Sequence, residues 1–411
     1  MTSITFTFKV HQPIRLKKLN VNEINGFDYF DTQLNKFYLD KIAKKCYFPT
    51  NLILLNHLEQ FKHEKKKFKV SFSISGVFLE ACEKFDKDLL DSFRQLVDTG
   101  EVELLAEPYY HSLASLFERK DEFIEQIRLH YQMMKDLFNF KPRVFMNTEM
   151  IYNNLIAKTL EEIGFKAVFT EGIERILNGK SPNYIYIRRK CFQDDLEHKE
   201  RIRVLLRNYR LSDDIGYRFS ARWWNEWPLT ADKYAAWLSA TPGDCINIAL
   251  DYETFGEHHW EDSGIFWFLR ALPYEIFKHL NLEILTPSEV VKKFKPKEEI
   301  DVFEFSTVSW ADMERDVSAW LHNPIQQACF GEIKAIENKV KSTNNQSLIK
   351  IWRLLQQSDH LYYLCTKSMN DGDVHRYFAN NLHPQDGFLN FIKIINDFKL
   401  KLDKNTSINS D

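Results

Sequence analysis

The sequence predicts an α/β chain in which a barrel of parallel strand–helix units precedes an all-helical region. Three observations carry this. Short β-rich runs alternate with segments of helical apolar spacing over nearly the first 300 residues, and that alternation builds a parallel sheet. The 411 residues suffice for two or three average domains or one large barrel with an appendage, and the long alternating stretch favours the barrel. After about residue 300 the β-rich runs stop and helical periodicity continues alone.

The first strand, 4–10, alternates apolar and polar residues. Further strands are expected at 68–76, 102–110, 144–150, 167–172, 184–187, 204–209, 245–254 and 282–286. Helical spacing marks 34–60, 87–98, 121–138, 154–163 and 264–278 between them. Gly100 and Gly164 stand where helices should end, each just before a strand. Residues 292–301, with seven charges and a proline, read as a connector. Beyond them 312–321, 326–341 and 348–366 read as helices. The expected division is a barrel domain over 1–300, a helical domain over 301–400 and a polar, frayed tail over 401–411. No internal repeat is visible.

Composition excludes several classes. The 55 basic and 58 acidic residues leave a net charge of −3, with no basic face for nucleic acid. Only 13 glycines occur, about half the usual share, and neither GxxxxGK[ST] nor GxGxxG is present, so a nucleotide cofactor is not expected. The six cysteines, Cys46, Cys82, Cys191, Cys245, Cys329 and Cys365, form no CxxC pair. The opening residues read as a strand rather than a leader, and no apolar run approaches the roughly 18 residues that span a bilayer. The expectation is a cytoplasmic chain without membrane contact. Aromatics are in surplus, with 33 Phe, 17 Tyr and 9 Trp. Most Phe should fill a core, whereas Trp and Tyr beside carboxylates would suit the apolar faces of sugars.

In parallel α/β barrels the site lies at the carboxyl ends of the strands. Four strand ends here carry reactive side chains: His11-Gln12-Pro13, Glu107-Pro108-Tyr109-Tyr110-His111, Asn147-Thr148-Glu149, and Asp251 through Trp260. Glu149 and Asp251 each follow an apolar run that would bury the strand and bring the acid to the barrel mouth. One such acid alone reads best as a cap or surface pair. Two from distant strands, with Glu107 and Glu253 near, fit the carboxylate pair of glycoside hydrolysis. Tyr110, Trp260 and Trp224, the last within Trp223-Trp224-Asn225-Glu226-Trp227, would stack on sugar rings. His11, His111, His258 and His259 with the acids permit a divalent-metal reading, but HExxH is absent and adjacent histidines suit one tetrahedral ion poorly. Asp371-Gly372-Asp373 lacks the remaining spacing of a calcium loop and reads as a turn. Asp213 and Asp214 likewise read as turn-formers.

In order along the chain, His11–Pro13, Gly100–Pro108, Phe145–Tyr152, Asp251–His258 and Leu285–Glu289 resemble the five motifs of glycoside hydrolase family 57, and the longer strings resemble its α-amylase branch. So do Ser309-Trp310-Ala311-Asp312-Met313-Glu314-Arg315-Asp316 and Ser358-Asp359-His360. The resemblance implies an incomplete (β/α)7 TIM-like barrel with a helical domain closing over its mouth. It also implies a retaining α-glucan hydrolase without metal or other cofactor, acting on α-1,4-glucan or maltooligosaccharides. By that resemblance Glu149 is the nucleophile and Asp251 the acid/base, while His11, Glu107, Glu253 and His258 line the sugar subsites. Trp310, Asp312, Asp359 and His360 would reach the site from the helical domain, although Trp310 also reads as packing and Asp312 as a helix cap. Three alternatives remain: a 4-α-glucanotransferase using the same pair, a metal-dependent carbohydrate hydrolase or deacetylase, and a non-catalytic glucan-binding protein.

Overall fold

Barrel interiors are read by strand parity, because successive side chains point to opposite faces. In a computed structural model that describes residues 1–19, 26–190, 201–367 and 383–408, the strands are β1 (Thr2–Val10), β2 (Val70–Ile74), β3 (Val102–Leu105), β4 (Val144–Met146), β5 (Ala167–Glu171), β6 (Ile185–Arg188), β7 (Arg203–Arg207), β8 (Cys245–Asp251), β9 (Leu282–Ile284) and β10 (Glu298–Ile300). Seven of them form a nearly closed parallel barrel. One arc runs β8–β1–β2–β3 and the other β4–β5–β7. Each junction between the arcs is a single residue pair, Ala106 with Phe145 and Arg207 with Asn247. β9 pairs with the start of β1, while β6 runs antiparallel to β7 and carries β10.

The first arc turns its apolar parity outward. Ile4, Phe6, Phe8, Val10, Phe72, Ile246 and Ile248 pack with residues of the helices Thr32–Ile42, Phe48–Gln60 and Ile265–Lys278 in one core. Its inward parity is mostly polar. Thr5 Oγ1 donates to Asn247 Oδ1 at 2.9 Å, and the Thr7 and Ser71 hydroxyls lie 2.8 Å apart. The second arc is apolar on both faces except at its strand ends, where Glu171 and Arg207 stand. Val144, Met146, Phe169 and Leu205 fill the lumen, and Phe145, Val168 and Val204 pack outward.

The C-terminal helices, among them Pro324–Ala335, Gln346–Leu354, Ser358–Tyr362 and Pro384–Ile408, share that outward core. Trp320, Phe330, Trp352, Ile394 and Phe398 join Phe145, Val168 and Val204 in one cluster. The helical region is thus packed directly on the barrel wall.

All nine expected strands form, and Gly100 and Gly164 take positive φ of 80° and 102° at helix ends. Four expectations need correction. The supposed connector 292–301 holds the end of helix Pro287–Lys293 and strand β10. The supposed helix 312–321 is helical only over Ser318–Leu321, because Asp312 and Arg315 sit at φ 53° and 52°. The polar tail expected from Lys401 is helical to Ile408, since Phe391, Ile394, Ile395, Phe398 and Leu402 form a buried stripe at helical spacing. Asp213 and Asp214 lie in helix Tyr209–Gly216, which Asn208 caps, and not in a turn. Cys191 and the Asp371–Asp373 stretch lie outside the described residues; the other five cysteines are free and buried.

Candidate active site

Register brings the polar parity of the first arc up to the mouth in steps of two residues. Lys9 pairs in register with Ser73 on one side and Asp251 on the other. A buried cation therefore sits level with the end of β8. Its Nζ lies 2.5 Å from Glu107 Oε1, and Ser73 donates to Glu107 Oε2. Burial alone would raise the Glu107 carboxyl, but the Lys9 charge and the His111 hydrogen bond hold it well below the carboxylate range.

Glu149 follows β4 on a tight turn with φ 53°, and Met150 also has φ 53°. Such conformations cost about 1–3 kcal/mol each and persist only where neighbours over-determine them. Asn147 does this here. Its Oδ1 accepts from Thr148 N at 3.0 Å and its Nδ2 donates to Ile151 O at 2.8 Å. The turn aims the carboxylate at two donors, His111 Nε2 at 2.9 Å from Oε1 and Trp310 Nε1 at 2.6 Å from Oε2. Burial would raise the acid, yet His111 and Trp310 together hold it below its ordinary value.

His111 is the hinge of this group. Nδ1 lies 3.6 Å from Glu107 Oε1, so its two nitrogens face two carboxylates. Burial and the Lys9 charge oppose its protonation, but bonds to Glu107 and Glu149 raise it above the usual imidazole value. His11 stacks on it at 3.9 Å and is pushed the other way, to about 4, by burial and by the His111 charge. The His11 ring joins Ser75 Oγ at 2.7 Å and Asp359 Oδ2 at 3.0 Å. Asp359 belongs to helix Ser358–Tyr362, so this contact ties the helical region to the barrel mouth. Burial opposes ionisation of Asp359, but His11 holds it low.

Asp251 has a different setting. Among the described residues no side chain hydrogen-bonds its carboxyl. Burial first, then the charges of Glu253 and Glu149, push it up to about 8 against Arg207 and Lys9. Glu253, two residues on, accepts from Tyr47 Oη and is raised to about 7, mainly by burial.

The structure thus gathers His11, Glu107, Glu149, Asp251, Glu253, Trp310 and Asp359. Glu107 is fully buried behind His111 and underpins the mouth from within. His258 lies just past Glu253, its N–H bonded to Glu253 O at 2.9 Å, and burial lowers it to about 4. Four aromatic or imidazole expectations fall elsewhere. Tyr110 is buried with Tyr109, Val77 and Leu354. His360 faces the helical core, near Leu354 O and the Phe391 ring. Trp224 is half-buried against Trp237. Trp260 is 60 % exposed with Lys45 Nζ 4.7 Å above its ring, lining a rim cleft with Phe266 and Arg270. Asp312 pairs with Lys367 at 3.0 Å and caps no helix.

Sequence reading missed Lys9, Tyr47, Ser73, Glu171 and Arg207, gave Arg315 no role beyond its place in the 309–316 string, and placed His111 at a strand end with a role only in the metal reading. Parity could have flagged Lys9, which shares the polar face of Thr5 and Thr7 in a fully buried stretch of strand.

A family model described as "Glycosyl hydrolase family 57" matches residues 5–303. The chain is 51% identical over 406 residues to a Methanocaldococcus jannaschii protein named "Putative alpha-amylase", covering 96% of this chain and 84% of that protein. Among solved structures it superposes on a GH57-type branching enzyme from Pyrococcus horikoshii with TM-score 0.64 at 17% identity, covering 98% and 94% of the two chains. A 4-alpha-glucanotransferase from Thermococcus litoralis gives TM-score 0.58 at 18% identity, with 92% of this chain spanning 54% of that one. At such identities the structural likeness concerns the fold.

Proposed function

Because this chain belongs to glycosyl hydrolase family 57, and is a glycoside hydrolase by that membership, we propose that it is a retaining, α-amylase-like enzyme that cleaves α-1,4-glucosidic bonds in soluble α-glucan or maltooligosaccharides. The observation that carries the reading is the opposed protonation of two acids at one barrel mouth. Glu149 is held ionised by His111 and Trp310, while Asp251 is pushed up to about 8 and keeps its proton at neutral pH. These are the states a nucleophile and a general acid require before reaction.

In the first step Glu149 attacks the anomeric carbon as Asp251 gives its proton to the departing glycosidic oxygen. The C–O bond to the leaving sugar breaks and an ester to Glu149 forms. Loss of the Glu149 charge lowers the Asp251 pKa, which suits it to act next as a base. Asp251 then takes a proton from water, the hydroxide attacks the same carbon, and the sugar leaves with its configuration retained. His111 and Trp310 also bond the carboxylate that returns as the leaving group of this step.

The nearest alternative, a 4-α-glucanotransferase, differs only in that a sugar hydroxyl replaces water in the second step. A product time course from maltoheptaose, with wild type beside Glu149→Gln and both pre-treated with a chelator, separates the readings. Shorter chains alone, from wild type alone and despite chelation, support the hydrolase. Longer chains alongside shorter ones move the assignment to a transferase. Loss of activity on chelation points to a metal-dependent reaction, and an inert wild type to a binding protein.

A further inference from the structure

Trp310 reaches the nucleophile from an irregular loop, 308–316. The loop is stapled at its ends, with Val308 bridged to both Tyr152 and Asp316. Ser309 Oγ donates to Asp316 O at 2.6 Å, and Ser309 N donates to Arg315 O at 3.1 Å. On its outer side Arg175 donates to Glu314 O at 2.6 Å and Arg315 O at 2.7 Å, while Lys367 holds Asp312. The loop is therefore braced in place rather than free to swing as a lid.

Beneath it lies a square of four charges. Arg207, ending β7, gives Nη1 to Glu171 Oε2 at 3.0 Å and Nη2 to Asp213 Oδ1 at 2.6 Å. Arg315 gives Nη1 to the same Glu171 Oε2 at 3.2 Å and Nη2 to Asp213 Oδ2 at 2.7 Å. Side-chain exposure is 4% for Arg207, 0% for Glu171, 7% for Asp213 and 15% for Arg315. Burying four charges costs several kcal/mol per ion before pairing, so one ion pair would be the simpler route to stability alone. The added Arg315 does something Arg207 does not: its Nη1 also donates to the carbonyl of Trp310. Arg207 lies below that residue, its guanidinium carbon 5.5 Å from the Trp310 ring centroid.

We propose that Arg315, gripped by Glu171 and Asp213, is a positioning residue that seats the Trp310 backbone so that its indole N–H meets Glu149. Arg315 touches neither the substrate nor the nucleophile and acts through Trp310. The proposal rests on Glu149 being the nucleophile. Glu149 is faced by His111 after β3, Trp310 from the loop, Asp359 from helix Ser358–Tyr362 and Asp251 after β8. Of these, only the Trp310 contact runs through Arg315.

The test compares Arg315→Lys, Trp310→Phe, the double variant and Glu149→Gln. Lysine keeps the charge, but an ammonium cannot fork across Glu171, Asp213 and the Trp310 carbonyl together. Arg315→Lys should lower kcat about tenfold with KM nearly unchanged, because the loss is one of alignment. It should also shift the acidic limb of the pH–rate profile upward, as Trp310→Phe should, since losing a donor to the ionised acid raises its pKa. The double variant should be no slower than Trp310→Phe alone, because both changes remove one contact. A wild-type pH profile in Arg315→Lys, or effects that multiply in the double variant, would overturn the proposal. Activity in Glu149→Gln would instead overturn the nucleophile assignment. If Arg315→Lys does not fold, the isosteric Asp213→Asn loosens the same seat and must show the same upward shift.

Discussion

At the end of β4 the chain crowds Glu149 with donors, whereas at the end of β8 no described side chain offers Asp251 one. Both acids follow apolar strands of the same barrel, so the strands themselves do not distinguish them. The difference comes from outside. Glu149 receives an imidazole from the β3 end and an indole from the 308–316 loop. Asp251 is left with the charges of Glu253 and Glu149 pressing on it. Identical chemistry at two strand ends is thus sorted into two protonation states by what the neighbouring loops deliver.

Removing either carboxylate should have the largest effect, and the two losses should differ in kind. Glu149→Gln and Asp251→Asn should each reduce turnover of maltoheptaose by about a thousandfold or more. On an aryl glycoside whose leaving group needs no proton, Asp251→Asn should still form the glycosyl-enzyme while Glu149→Gln does not. Mass spectrometry of the quenched enzyme reads this directly, and equal labelling of both variants would erase the distinction.

Replacing the donor that divides the two acids should come next. His111→Gln removes a positive charge from beside Glu149, so the acidic limb of kcat/KM should rise by about one pH unit and kcat should fall about tenfold to a hundredfold. An unmoved acidic limb would mean His111 does not hold the nucleophile ionised.

Wild-type activity should fall as pH rises through about 8, where Asp251 loses the proton it must donate. A smaller effect follows in stability. The Asp251 value is raised on folding, so the ionised form is disfavoured in the native state, and stability is lost as pH climbs from the ordinary aspartate range through about 8. Asp251→Asn should therefore melt roughly 2–4 °C above wild type at pH 8 and show little advantage at pH 4. Calorimetry at the two pH values tests the sign. Smallest of all, His360→Gln should leave the pH profile unchanged, because its ring faces the helical core, whereas Asp359→Asn, next in sequence, releases His11 at the mouth.

Much of this was legible from residue order. Strand–helix alternation located the barrel, and acids set after apolar runs pointed to Glu149 and Asp251, the pair we propose to react. What escaped depended on contacts distant in sequence. Residues 312–321 have helical composition, but Arg315 is drawn to Glu171 at the end of β5 and to Asp213 in helix Tyr209–Gly216, and that tertiary grip overrides propensity. Strand β10 is three residues, two of them glutamates, and among the described strands pairs with β6 alone, so no hydrophobic alternation announces it. Lys9 and Arg207 resemble surface charges until register places them inside. Tyr110 and Trp224 sit in segments rich in site-like residues, yet both turn to apolar neighbours, which composition alone does not separate from sugar platforms.

The two arcs of the barrel meet at joints one residue pair wide, Ala106 with Phe145 and Arg207 with Asn247. Asp251 rides on one arc and Glu149 on the other, like tools fixed to the two jaws of a vice. No continuous ladder of backbone bonds fixes their clearance. His111 bridges the jaws through its bond to Glu149 and Arg207 through its Nε bond to the Ala249 carbonyl, and the helical region grips both at once, through Asp359 on His11 and through the 308–316 loop on Glu149. The working aperture is therefore a mechanical setting of the joints and their bracing, a dimension that substitutions far from either carboxylate can widen or narrow while the reactive groups stay the same.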